Sequence, residues 1–463
     1  MHANIPTAEL MPAPSCVRRD VKPDIVRRFL AWAQSADEDA RAEAASALAR
    51  AYLHSDFDPS GRAEAALALT ALTDDPSVLV RRALAEALCR AHDAPRALVL
   101  ALAGDELEAG APMLLHSPVL TEADLVDCAM TGDAAVQTTL ARRPTLPPRA
   151  AAALAETGQF DAVLALVANL EIDLPARLLG LVFDRFGDEA SLREALLERL
   201  GLPAALRARI VVVAARDLAL EASQWMSASR AGRVAREARD QAICAIASSC
   251  SPEEGPELAR ALRAAGALTP ALLLRSLLSG ERGLFTQALA ELTGLPPSRV
   301  ASFVVEPQAQ GFAALARRAG LKPGILPAFR FALAAIKTHA GLSGDGLKLP
   351  LVQKVIDDCE RRDDPALGKV QALLWRFAAE AAKAEAASFA REAAASASAS
   401  APAGRLPPIL DFLPVNDDED RAPKLIADFS RAPGGATPPH PAGDPAPRIE
   451  LPPELVARLD SAA

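Results

Sequence analysis

The sequence predicts an all-α fold: an α-solenoid of short two-helix repeats, followed by a second helical region and a disordered C-terminal tail. Three observations predict it. Of the 463 residues 51% are hydrophobic but only 4% aromatic, so Ala and Leu carry the apolar content, and these favour helix where β-branched and aromatic types favour strand. Aspartates that open apolar-periodic segments recur at Asp75, Asp105, Asp133, Asp161 and Asp188, at intervals of 30, 28, 28 and 27 residues. The chain also exceeds the size at which one compact core stops growing, and a repeat array escapes that limit because each unit buries its apolar face against its neighbours.

Taken in order, residues 1–20 are polar and proline-broken, lack the basic and apolar regions of a signal peptide, and are expected to be disordered. Residues 21–200 form the repeats. Two longer helix pairs, over 22–53 and 59–92, lead in, and Asp75, Pro76, Val80 and Arg81 resemble the start of the second helix of a HEAT unit. An aspartate at a helix start accepts hydrogen bonds from unpaired backbone N–H groups and complements the positive end of the dipole, which is a physical reason for it to recur. A second helix of each unit opens near Pro95, Thr121, Pro147 and Pro175, where a missing N–H is tolerated. Leu98, Leu100 and Leu102, and Leu164, Val167 and Leu170, supply apolar faces. A period near 28 makes this a compact HEAT-like array, since most tetratricopeptide, HEAT and armadillo units take roughly 34 to 47 residues.

Residues 201–340 form the second helical region, with helices expected over 203–226, 231–248, 252–265, 269–278, 285–292, 297–304, 311–318 and 327–339. Residues 341–349 are a glycine-rich flexible break. Residues 350–395 hold two C-terminal helices, near 351–362 and over 365–395. Residues 396–463, rich in Ser, Pro, Gly and acids, are too poor in apolar content to offset ordering entropy and form a disordered tail. Two islands interrupt it, 409–420 with the acidic run Asp417, Asp418, Glu419 and Asp420, and 449–459, where Leu455, Val456 and Leu459 make a one-sided face suited to a partner's groove.

The six cysteines Cys16, Cys89, Cys128, Cys244, Cys250 and Cys359 show no C-x-x-C spacing and read as reduced packing residues. The six histidines are isolated and form no H-E-x-x-H pair, so no metal is expected. The glycines of 341–346, with Lys348, lack phosphate-loop spacing, so no nucleotide cofactor is expected. His116 beside Ser117 is the one pair suggestive of nucleophilic catalysis, but Pro118 follows and the serine is expected to end a helix. No stretch reaches the roughly 20 apolar residues of a membrane span, and a cytoplasmic location is expected.

Charge is polarised. Residues 1–200 carry 19 Lys+Arg against 30 Asp+Glu, whereas 201–345 carry 17 against 11. Within the basic part Arg230, Arg233, Arg236 and Arg239 recur every third residue, a stripe able to receive an acidic partner segment, phosphate or the chain's own acidic tail. The competing reading is a solvated face paired locally with Glu237 and Asp240. With a pI near 5.4 and few aromatics for base stacking, nucleic acid is not an expected partner.

One run is familiar: Ala111, Pro112, Met113, Leu114, Leu115, His116, Ser117, Pro118, Val119 and Leu120, then Asp124, Leu125, Ala141, Arg142, Arg143, Glu156, Thr157, Gly158 and Asn169. It resembles the bacterial family catalogued as domain of unknown function 2336. Leu273, Leu274, Arg275, Gly280, Phe285, Ala288, Leu289, Gly294, Pro296, Ala314, Arg317, Ala319, Gly320 and Leu321 are similar to that family's C-terminal portion. The resemblance covers most of 22–390. It implies a HEAT-like helical-repeat fold and no activity, and it brings no catalytic residue with it.

The function expected is that of a cytoplasmic scaffold or adaptor for a protein partner, not an enzyme, because extended surfaces are what solenoids offer. Two alternatives stand beside it. One is a HEAT-like enzyme acting on a nucleobase or tetrapyrrole-like ligand, with a pocket drawn from Trp225, Arg142, Arg143 or Asp124. The other is a structural or sensory module that dimerises along the long C-terminal helix through Leu373, Leu374 and Phe377.

Overall fold

The computed structural model describes residue 28 and residues 31–33, 35–338, 346–362 and 364–400. The 1–20 segment, residues 341–345 of the break and the tail beyond 400, with Leu455, Val456 and Leu459, lie outside the described residues. Residues 1–390 form one compact unit; of the second, 391–463, only the end of the last helix is described. Every α-helix or 3-10 turn given below belongs to these described residues, and no strand occurs among them.

The chain opens with α1 (Glu38–His54), α2 (Pro59–Leu72) and α3 (Val78–Leu88). Shorter helices follow: α4 (Arg96–Ala103), α5 (Leu107–His116), α6 (Glu122–Thr131), α7 (Ala134–Ala141), α8 (Pro148–Thr157), α9 (Phe160–Ala168), α10 (Ala176–Phe186) and α11 (Ala190–Glu198). The helices α3, α5, α7, α9 and α11 begin 26 to 30 residues apart, and each packs on the next, with α1 ahead of them. Likewise α6, α8 and α10 form a second row. This is the solenoid that the period of the sequence demanded.

The second helix of each unit starts where expected. Pro95, Pro147 and Pro175 are the N-cap residues of α4, α8 and α10. Thr121 caps α6 in a capping box with Asp124, whose carboxylate accepts the Thr121 N–H at 2.7 Å. The periodic aspartates behave less uniformly than expected. Asp133 does cap α7, accepting the N–H groups of Ala135 and Val136 at 3.0 and 2.8 Å. Asp75 and Asp105 instead precede the cap residues and hold arginines from the preceding unit: Arg41 of α1 bonds Asp75 at 3.0 and 2.9 Å, and Arg81 of α3 bonds Asp105 at 2.6 Å. Asp161 sits inside the first turn of α9, and Asp188 pairs with Arg216 at 2.7 Å. The recurring carboxylate therefore marks the junction between units, where either a helix end or a neighbour's cation can use it.

A second set of bonds runs along the stack. The last carbonyls of a helix have no partner within it, and in this chain guanidinium groups from an adjacent unit satisfy them. Arg143, buried, donates to the carbonyls of Leu114 at 2.8 Å and Ser117 at 2.6 Å, beyond its local bond to Thr145. Arg185 of α10 reaches Ala155 and Gly158 at the end of α8, at 2.6 and 2.7 Å. Arg199 reaches Val167, Asn169 and Ile172, at the end of α9 and just beyond it. The Asn169 amide in turn donates to the carbonyls of Ala141 and Arg143 at 3.1 and 3.0 Å. These bonds span 26 to 32 residues, which is one repeat. A forked cation with five donors at the negative end of a helix dipole suits that position.

The second region comprises α12 (Ala204–Ala222), α13 (Ala228–Ser248), α14 (Gly255–Ala264), α15 (Pro270–Leu278), α16 (Arg282–Thr293), α17 (Pro297–Val305), α18 (Gln310–Arg318) and α19 (Leu326–Thr338), each bound within four residues of its expected place. Gly294 ends α16 at φ 66°, a left-handed turn that glycine enters without strain. The break expected through 349 is tied down at its far end: Leu347 packs against the core, Lys348 N–H donates to the Leu278 carbonyl at 3.2 Å, and α20 (Leu349–Arg362) begins there. The last helix, α21 (Gly368–Ser400), follows a 3-10 turn at Pro365–Leu367 and runs beyond the expected end at 395.

Buried apolar residues form three clusters, from Ala45 to Ile210, from Ala204 to Leu284 and from Leu273 to Ala378. The expected dimerisation seam is corrected by the third. Leu374 and Phe377 are 0% and 2% exposed within it, and Leu373 packs against it, so this face of α21 is filled by the chain's own core.

Candidate functional site

Small residues on the exposed side of the α3, α5, α7 and α9 row leave clefts between successive helices. One cleft, of about 750 Å³, lies between α3 and α5, with Arg82, Glu86, Arg90, Glu108 and His116 around it and Ala111 and Pro112 in its wall. Another, of about 860 Å³, lies between α7 and α9, bounded by Thr138, Thr139, Arg142 and Asp161 over Ala134, Ala135, Ala165 and Ala168. Leu107 lines both, so the two clefts are neighbours on the same helix row.

The chemistry of the groove is that of a surface. His116 is pushed below the usual imidazole range by burial, with the nearby Arg90 and Arg143 charges adding to it, and so is neutral at neutral pH. Its neighbour Ser117 ends α5: its N–H donates to the Met113 carbonyl at 3.0 Å and its hydroxyl accepts the Val119 N–H at 3.3 Å. Cys89, which also lines the groove, is pushed up by burial and stays a thiol at neutral pH. Among the described residues no three His, Cys, Asp or Glu side chains gather as a metal ion would require.

The residues proposed for an enzyme pocket do not converge. Arg142 lines the groove, Arg143 is buried on the carbonyls of the preceding unit, and Asp124 is held by Thr121 and by Arg96 at 2.8 Å. Trp225 stands in the turn between α12 and α13, 87% exposed.

Sequence reasoning missed a buried polar node beneath α21. Arg275 of α15, 2% exposed, makes a two-pronged bond to Glu380 of α21 at 2.7 and 2.5 Å, and its guanidinium lies 4.7 Å from the Phe377 ring. Beside it burial pushes the Asp240 carboxyl up, although Arg239, at 2.9 and 2.7 Å, pulls the other way. Burial raises the Cys244 thiol to about 12. A cavity of about 270 Å³ there is lined by Gln241, Cys244, Arg275, Ser279, Glu281 and Glu380. With cation and carboxylate matched, the node clamps α21 onto α13 and α15. The only prior signal was Arg275 itself, a charged residue within the apolar run of residues 271–278.

The arginine stripe is shorter than the sequence suggested. Arg230, Arg233 and Arg236 are exposed on α13, but Arg239 is half-buried and bonded to Asp240, and Glu237 is bonded to Arg376 of α21 at 2.7 Å. Three cations face solvent rather than four, because the fourth is turned toward the clamp.

Rows of short helices joined by cross-repeat guanidinium bonds, with open clefts between them, define an all-helical repeat protein. The chain belongs to the family DUF2336, an uncharacterised protein conserved in bacteria, whose model matches residues 110–363. That span leaves α1–α4 and α21 outside, a shorter stretch than the resemblance over 22–390 implied. No curated protein matches the chain, and no solved structure does.

Proposed function

We propose that the chain is a HEAT-like helical-repeat scaffold of the cytoplasm, which works by binding rather than catalysis and receives an extended segment of a partner protein in the groove across α3, α5, α7 and α9. The succession of two clefts along one helix row, with Leu107 in the lining of both, carries the reading. With helices packed roughly 8–10 Å apart, three steps along the row offer about 24–30 Å. That length accommodates roughly eight residues of extended chain. Alanines in the walls admit apolar side chains, while arginines and acids at the edges fix direction and register. No described helix is long and apolar enough to cross a membrane.

The test is affinity capture from a bacterial extract with two baits, the full chain and its Ala135→Trp, Ala168→Trp variant. Both alanines are exposed in the groove, so the bulky rings obstruct it without entering the core. A protein enriched by the first bait and lost with the second supports the reading. Equal enrichment by both, or none by either, refutes it.

A further inference from the structure

The hairpin that opens the second region breaks the dimensions of the stack. Helices α4–α11 have eight to eleven residues, whereas α12 has 19 and α13 has 21. Asp217 of α12 is bonded to Arg193 of α11 and Glu237 of α13 to Arg376 of α21, and beyond those ties the two helices run on for roughly 8 and 14 Å at about 1.5 Å per residue. The outer part of the hairpin contributes nothing to the hydrophobic clusters, which take no residue between Val213 and Ile243. Two buried alanines, Ala231 and Ala235, let the helices of this projection close on each other.

Chemistry along the projection is graded by depth. At the extremity Trp225 and Leu220 are 87% and 65% exposed. Behind them on α13 stand Arg230, Arg233 and Arg236, exposed and in no ion pair among the described residues, since the ion pairs of this helix are made by Glu237, Arg239 and Asp240. Glu221 is the exposed acid of the tip and opposes them.

We propose that the α12–α13 hairpin is a membrane-surface wedge, with Leu220 and Trp225 entering the interface of an anionic bilayer while Arg230, Arg233 and Arg236 bond lipid phosphates. Tryptophan is at home at the headgroup boundary, with its ring in apolar surroundings and its N–H near water. Arginine one to three turns further back lies at phosphate depth and matches phosphate geometry with two donors. A tip ending in exposed apolar side chains suits a bilayer, which needs no cleft to receive it. Salt screens the attraction of the three arginines for lipid phosphate, so the association weakens as salt rises; the net charge of the chain, −9, and Glu221 oppose it. The inference is independent of the groove and places the scaffold at a membrane surface.

Vesicle flotation of the full chain tests it, using phosphatidylcholine alone and phosphatidylcholine with about one third phosphatidylglycerol, at low and high salt. Flotation is expected with the anionic vesicles at low salt only. The Trp225→Ala, Leu220→Ala variant and the Arg230→Gln, Arg233→Gln, Arg236→Gln variant are each expected to weaken it by about tenfold or more. The groove variant Ala135→Trp, Ala168→Trp is expected to float like the wild type, which separates this result from the fate of the scaffold reading. All the hairpin positions are exposed, and unchanged helical circular dichroism verifies that the variants fold. Absence of flotation with anionic vesicles overturns the proposal, as does flotation that neither hairpin variant weakens. A protein captured through this hairpin without vesicle binding would overturn it too, and would make the surface a protein interface.

Discussion

Replacing Arg143 by methionine isolates the bonds that join one repeat to the next. The side chain matches the apolar stem, so the packing of the stem is kept, and what disappears is the guanidinium. The carbonyls of Leu114 and Ser117, now held at 2.8 and 2.6 Å, lose their partner in a buried setting; Thr145, being exposed, recovers water. An orphaned buried acceptor costs about 1–3 kcal/mol, so two give a loss of about 3–4 kcal/mol once partial relaxation is allowed. Arg143→Lys retains a charge but gathers its donors on one nitrogen without the fork, and it recovers about a third of the loss at most. The neighbouring Arg142→Ala, exposed, changes stability by about 0.5 kcal/mol or less. Urea unfolding followed by circular dichroism gives the difference. Amide hydrogen exchange in α5 and α8 locates it, which matters because repeat arrays can unfold in segments. If Arg143→Met unfolds within about 0.5 kcal/mol of the wild type, the cross-repeat bonds do not hold the stack.

Three more outcomes are expected. Arg275→Met removes the clamp on α21 and leaves Glu380, a third exposed, without its partner; exchange of amides around 374–386 accelerates by a factor corresponding to about 2 kcal/mol, less than for a fully buried pair, and unchanged exchange there would show that apolar packing alone holds the helix. The Cys244 and Cys359 thiols, raised by burial to about 12 and about 11, resist iodoacetamide at pH near 8 in the native protein and react in urea; native labelling seen by mass spectrometry would contradict their burial. Glu254 accepts the Ala204 N–H at 3.0 Å and the Ser251 N–H at 3.2 Å, which pull its carboxyl below the usual range. A depressed folded value means the stabilisation is present above the unfolded pKa of about 4.3 and is lost as pH falls through the folded one. Glu254→Gln therefore flattens the acid limb of the stability profile below pH about 5, and identical acid limbs for variant and wild type would refute the linkage.

Element order was legible because the signals are local. A proline or capping threonine before an Ala/Leu-rich segment states where a helix begins, and Pro95, Thr121, Pro147 and Pro175 all stand at that position. The aspartates gave the period, yet their partners were not readable, because whether Asp105, which accepts the Glu106 N–H, also meets the Arg81 guanidinium depends on how far one helix row is rotated against the next. The seam at Leu374 and Phe377 shows the same limit: an apolar stripe on a helix declares that it is covered, not by what. The groove was invisible for a related reason. Its walls are alanines, and an alanine in sequence looks alike whether it fills a contact or leaves a space.

Several residues that carry the family resemblance acquire a structural reason from these bonds. Leu114 and Ser117 supply the carbonyls that Arg143 binds, Gly158 supplies one for Arg185, Asn169 ties two carbonyls of the preceding unit, and Arg275 holds α21. A Cβ on Gly158 would lie 2.5 Å from the Leu154 carbonyl oxygen, so the tight turn into α9 admits no larger residue in this geometry. Apart from the buried Nε–H of Arg275, these groups are satisfied inside the chain. The exposed groups are others: Arg142 and Asp161 at the clefts, and Trp225 with Arg230, Arg233 and Arg236 on the hairpin. Belonging to the family thus accounts for how the repeats join. The proposed groove and hairpin lie on surfaces that these structural motifs leave free.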